Sequence, residues 1–134
     1  MSHLADSFSI SAAGMQAQAG RLRHVSENIA NADTPGYRRK TVEFRAVRDR
    51  ALPGQAPAKG VHTGPVQLDR RDLPLVHDPG HTLADDTGHY LGSNVDLIVE
   101  IADAREAQRG YEANLRMFDQ TRQMAQGLLE ILRR

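Results

Sequence analysis

The stretch "VHDPGHTLADDTGHY" (76–90) gathers the residue types that most readily do chemistry. His77, His81 and His89 lie near Asp78, Asp85 and Asp86. Imidazoles and carboxylates are ligands for zinc and other first-row metals. The spacing does not match a helical ligand pair, because Pro79 and Gly80 force a turn between the first two histidines. In turn-rich loops, Asp and His side chains cap backbone groups instead, and that is the expectation here, with no metal site. Ser, His and Asp are all present, yet no G-x-S-x-G elbow precedes a helix. No Walker A or G-x-G-x-x-G phosphate loop occurs. The residues therefore predict no catalytic set, no cofactor and no small-molecule substrate. "YRRK" (37–40) brings a ring and three cations that could touch phosphates. However, 17 basic residues balance 17 acidic ones in 134, so the chain has no bulk attraction to nucleic acid.

These residues must be positioned by something, and the two ends of the chain supply it. Phe8, Met15, Leu22 and Ile29 recur every seven residues, with Leu4, Ala12, Ala19 and Val25 in the intervening steps. That is one apolar stripe on a helix of about 28 residues, roughly 42 Å long. Gly14 and Gly20 each cost such a helix about 1 kcal/mol against Ala. At the other end, Ala104, Tyr111, Phe118, Ala125 and Leu132 recur every seven residues, flanked by Ile101, Leu115 and Leu129. Gln108 and Arg122 interrupt the flanking line. Asn94 is the expected N-cap, with Asp96 in the first turn. This second helix, free of proline, spans about 55–60 Å. Aromatics are only 4% and Trp is absent, so two such helices leave apolar stripe that other chains could cover.

Between the helices the character changes. Residues 41–93 hold every proline except Pro35. "TVEFRAV" alternates and reads as a strand; "VHTGPVQL" and "LPLVH" are strand candidates broken by Pro, which suits edges. "ALPGQAPAKG" (51–60) reads as a loop. The fold class is mainly α: two long terminal helices pairing as an antiparallel coiled coil, with a small β-rich or irregular insertion between them. The expected divisions are 1–33 (N-terminal helix), 34–93 (corner and arm) and 94–134 (C-terminal helix). The absence of Cys leaves the redox compartment unread, and the N-terminus lacks the basic and apolar blocks of a signal peptide. Composition alone would read as soluble and cytoplasmic.

"SENIANADTPGYRRK" (26–40) joins the first helix to the arm. Thr34 precedes proline and is pushed out of the helical region. Pro35 and Gly36 suit the centre of a type II turn. Asn28 and Asn31 share a helical face, where their amides can tie the turn to the helix end. The result is a rigid corner that fixes the direction of the segment after it.

"NIANADTPGY" (28–37) also resembles the signature of the flagellar rod and hook proteins, the axial family, through Asn28, Ile29, Ala30, Asn31, Thr34, Pro35, Gly36 and Tyr37. The resemblance extends over "GMQAQAGRLRHVSENIAN" and "NVDLIVEIADAREAQRGYEANLRMFDQTRQM", and "HDPGHTLADDTGHYLGSNVD" is similar to the stretch ahead of the C-terminal helix in a proximal-rod member. Residues 45–72 are the least recognisable. "MQAQAGRLR" (15–23) and "YEANL" (111–115) favour one of the two proximal-rod branches; the sister branch is the alternative, and a helical-hairpin partner-binding module a remoter one.

The resemblance implies a structural protein of motility, not an enzyme. It would stack helically into the hollow, torque-transmitting drive shaft of the basal body. The implied partners are further copies, the rod proteins FlgB, FlgF and FlgG, the adaptor FliE that joins the rod to the MS ring, and the flagellar type III export apparatus. It implies export without a cleaved signal peptide and a place in the rod across the periplasm. The helical seam would comprise Phe8, Met15, Leu22, Ile29, Ile101, Tyr111, Leu115, Phe118, Leu129 and Leu132. Arg38, Arg39 and Lys40 would offer salt bridges to neighbouring subunits.

Overall fold

The computed structural model describes residues 2–47 and 59–133. The expected loop at 51–60 therefore lies almost wholly outside the described residues. Two helices dominate: α1 (Ser2–Ala30) and α2 (Leu97–Arg133). Among the described residues, six short strands run between them: β1 (Lys40–Thr41), β2 (Phe44–Ala46), β3 (Val61–Thr63), β4 (Gln67–Leu68), β5 (Leu75–His77) and β6 (His89–Leu91).

α1 packs along α2 in opposite directions. Phe8 meets Phe118 edge-on, with ring centroids 4.9 Å apart. At the other end Arg21 pairs with Asp103, and Asn28 reaches Glu100. Among the described residues, the buried apolar side chains are only Ala17, Val25 and Ala107. The two largest side chains buried completely are Glu100 and Asn28, both polar. Small residues make close approach possible. A Cβ on Gly14 would come within 2.4 Å of Asn114 Oδ1, and one on Gly110 within 2.5 Å of Gln18 Nε2. The intrinsic helix cost of Gly14 is thus offset by contact with the opposing helix.

Several expected seam residues therefore lie elsewhere. Phe8, Met15, Leu22 and Phe118 are half-buried, whereas Ile29, Ile101, Tyr111, Leu115, Leu129 and Leu132 are exposed. The helical repeat explains why. The face of α2 turned to α1 carries Glu100, Ala104, Ala107, Gly110, Asn114, Phe118, Thr121 and Ala125, most of them small or polar. Ile101 and Leu115 sit on the flank of that face. Leu129 and Leu132 lie beyond its covered part: with Phe8 opposite Phe118, the start of α1 reaches only to about residue 124. The chain exposes 10074 Å², against roughly 7,000 Å² for a compact monomer of this size.

The strands form three antiparallel pairs: β1 with β4, β2 with β3, and β5 with β6. The first two pairs are successive halves of one ribbon. Lys40 faces Leu68 and Thr41 faces Gln67; then Phe44 faces Thr63 and Ala46 faces Val61. Two residues (42–43) on the outgoing side oppose three (64–66) on the return. This extra residue is a bulge, and it splits the single strand expected over "TVEFRAV" in two. Pro65, which cannot donate to a ladder, stands within it. The ribbon folds back along α1, where Gly60 sits close to Ile10 and Ala13. No helix among the described residues is long and apolar enough to cross a membrane.

Candidate functional site

The corner is built as its residues dictate. α1 ends at Ala30, and Asn31 closes the turn that follows: its Nδ2 donates to Glu27 O at 2.8 Å, while its Oδ1 accepts from the Thr34 hydroxyl at 3.1 Å. Tyr37 N donates to Thr34 O at 3.2 Å across Pro35 and Gly36, and Gly36 has φ +74°. That is the type II turn, with glycine where a positive φ is required. Gly36 N then donates to Leu91 O, and Asn94 N to Tyr37 O, which join the corner to the end of β6 and the approach to α2.

Asn94 does not cap α2. Its Oδ1 accepts from Arg39 N at 2.7 Å and its Nδ2 donates to Asp69 O at 3.1 Å, so it clasps the corner to the arm. Asp96 is the cap: its Oδ1 accepts from Ile98 N at 2.9 Å and Val99 N at 3.4 Å. Two residues nearer the helix, its anionic side chain also meets the dipole better.

Beneath the corner lies a buried ionic node. Asn28 uses its whole amide: Nδ2 donates to Lys40 O at 2.9 Å and to Glu100 Oε2 at 3.2 Å, while Oδ1 accepts from the Tyr37 hydroxyl at 3.0 Å and Lys40 N at 2.9 Å. Glu100, with no exposed surface, also binds Arg39 Nε. Arg39 Nη2 holds Asp103 at 2.8 Å, and Asp103 in turn holds Arg21 at 3.1 Å. Burial pushes the Tyr37 phenol above its ordinary range. Lys40 Nζ binds Glu27 at 2.9 Å; this hydrogen bond draws the Glu27 carboxyl below its usual value and raises Lys40.

The cations after the corner are therefore engaged within the chain. Arg38 donates to the carbonyls of Asp69 and Arg71, Arg39 reaches Glu100 and Asp103, and Lys40 reaches Glu27. Within the single chain, two carboxylates of α2 face Arg39, one of α1 faces Lys40, and two backbone carbonyls of the arm face Arg38. Sequence reading missed Glu100, Asp103 and Arg21. A Glu in the first turn of a helix looks like an ordinary dipole partner. The one available signal was an i,i+3 acidic pair at the start of an otherwise apolar segment.

The histidine loop is a hairpin tip. His77 and His89 face each other across β5 and β6 with ring centroids 4.6 Å apart, and His81 stacks on Tyr90 at 4.1 Å. His81 Nδ1 accepts from Leu83 N, and Asp78 accepts from Gly80 N. Asp85 accepts from the Thr87 hydroxyl and from backbone N–H groups of Thr87 and His89, which hold its carboxyl below the usual range. These are backbone-capping roles. Among the described residues, no group of three or more metal-ligating side chains converges.

A helix ended by this corner is thus tied at its end to a second long helix, with a small β arm between them. Two family models match: one described as flagella basal body rod protein over residues 8–38, and one described as flagellar basal body rod FlgEFG protein C-terminal over residues 87–131. The chain is similar to the flagellar basal-body rod protein FlgC of Agrobacterium fabrum, at 39% identity over 99% of this chain and 98% of that protein. It is similar to FlgC of Salmonella typhimurium at 34% identity (87% and 89%) and of Bacillus subtilis at 32% (93% and 95%). The chain belongs to the FlgC family of flagellar basal-body rod proteins, the branch favoured by "MQAQAGRLR" and "YEANL" over its sister FlgB.

Proposed function

We propose that this rod protein builds the proximal part of the hollow drive shaft by helical assembly of its terminal helices, and that the shaft transmits torque. The observation that carries this reading is the uncovered apolar surface of α2. Ile98, Ile101 and Leu115 on one flank, and Met117, Met124 and Ile131 on the other, are all exposed in the single chain. Patches of that extent mark contact with other protein. Flanked on both sides by copies or by FlgB, FlgF, FlgG and FliE, α1 and α2 become two members of a coiled-coil wall around the channel. The chain acts as a structural element and not as an enzyme.

The division into helical core (1–33 and 94–134) and arm (34–93) assigns the arm to contacts with neighbouring subunits. Arg38, Arg39 and Lys40 serve that role indirectly, by holding the arm to the helix pair. Delivery uses the flagellar type III apparatus without a cleaved signal peptide, and the rod crosses the periplasm.

Leu115→Asp tests the reading. Leu115 is 41% exposed, so the single chain should keep its helicity and melting temperature. A charge buried at a chain–chain contact costs several kcal/mol. The variant should be missing from isolated basal bodies, and cells should not swim. Wild-type incorporation and swimming would refute the assignment of this surface.

A further inference from the structure

The seam between the helices poses a question of register. Ala104, Ala107 and Ala125 present no large knob, and the notches at Gly14 and Gly110 receive flexible amide side chains, Asn114 and Gln18, so packing resists a slide of one turn only weakly. Slides matter, because they would move the exposed flank of α2 along the molecule relative to the corner. The buried polar groups are the features of the seam whose displacement carries the largest penalty.

We propose that Asn28, Tyr37 and Arg39 form a carboxylate socket whose occupant, Glu100, sets the register of α1 against α2. The socket draws on three segments: the last turn of α1 supplies Asn28, the corner supplies Tyr37, and the chain beyond it supplies Arg39. Tyr37 is a positioning residue. Its hydroxyl and Lys40 N both donate to Asn28 Oδ1, so the NH₂ end of the amide must face Glu100. An aspartate at 28 has no donor for Glu100 and would repel it, although it has nearly the same shape. Arg39 Nε completes the grip from the other oxygen of Glu100, and Arg39 Nη2 takes Asp103 one helical turn further on. Two carboxylates spaced one turn apart and held by one guanidinium match in one axial position only. A shift of α2 by one turn would leave Glu100, which has no exposed surface, without Asn28 and Arg39. The asparagine and tyrosine of the corner signature thus do more than shape the turn: they read a carboxylate on the other helix.

The chain has no native Cys, so spin labels can be placed at will. Gln16→Cys with Gln123→Cys labels exposed positions that are offset along the helix pair and lie within the stretch of α2 that α1 covers. A slip of one turn changes their separation by about 5 Å. Double electron–electron resonance on the purified full chain should give one narrow distance. Asn28→Asp and Glu100→Gln should each add a second population displaced by about 5 Å. Leu22→Ala, which weakens the seam without touching the socket, should lower the melting temperature and keep the single distance. The proposal is overturned if the unsubstituted chain already shows several distances, or if Asn28→Asp and Glu100→Gln keep the single distance while melting earlier. If either variant does not fold, Arg39→Lys carries the test. It keeps a cation beside Glu100 but cannot hold Glu100 and Asp103 together, and a single unshifted distance in that variant sinks the idea.

Discussion

Arg39→Ala should be among the most damaging single changes in this chain. It strips the guanidinium from Glu100 and Asp103 together. Asp103 is partly exposed and keeps Arg21 at 3.1 Å, so its share of the loss is at most about 1 kcal/mol. Glu100 has no exposed surface and would retain one side-chain partner, Asn28 Nδ2 at 3.2 Å. Removing one member of a buried pair costs about 3–5 kcal/mol, because the other charge stays buried without compensation. For a domain of this size that is a fall in melting temperature of roughly 10–15 °C. The companion variant is Arg39→Met with Glu100→Leu. Replacing both charges by apolar groups of similar volume is often neutral or better. The double variant should therefore recover most of the loss, and thermal unfolding followed by circular dichroism reads both. A fall of less than about 3 °C for Arg39→Ala, or a double variant no more stable than the single, would refute the claim that a buried charge is what Arg39 compensates.

Two further outcomes follow from the corner. Gly36→Ala meets no atom within 4 Å, so its cost of about 1 kcal/mol comes from the positive φ alone; Gly36→Asn, which tolerates that region better, should melt a few degrees higher than Gly36→Ala in the same assay. The Glu27–Lys40 pair should shape stability at both pH extremes. Glu27 is depressed from its ordinary 4.5, so its contribution is present above that value and lost as pH falls through the lower folded one. Lys40 is raised from 10.5, so the pair's contribution is lost again as pH rises through the higher folded value. Glu27→Gln should flatten both limbs of a plot of melting temperature against pH, and an unchanged acid limb would show that Glu27 is not its source.

The helices were legible because a seven-residue repeat survives whatever the helices pack against. The corner was legible because proline and glycine constrain the backbone locally. The seam was not, because hydrophobic periodicity marks where the large apolar residues point. In this chain the helices approach through alanine, glycine, asparagine and threonine, and several large side chains face outward. Leu129 and Leu132 keep the right face, but the length of α1 places them past its start. The pairing of Arg39 with Glu100 spans 61 positions, and no local pattern links them. The cap of α2 was misplaced by two residues because Asn94 and Asp96 are both good caps; Asn94 has another task that only the folded arm reveals.

The turns of α2 that run beyond α1 have a kinetic consequence. Extending a helix is close to break-even per residue once its nucleus exists, so these turns, on which no other described element packs, can fray and reform. The first two chains to meet in solution must hold such ends ordered with only each other for support. A chain arriving at a growing structure meets a row of neighbours already in place. Under the assembly proposed above, growth at a template should therefore outpace spontaneous initiation, so that where assembly begins matters more than how much protein is present.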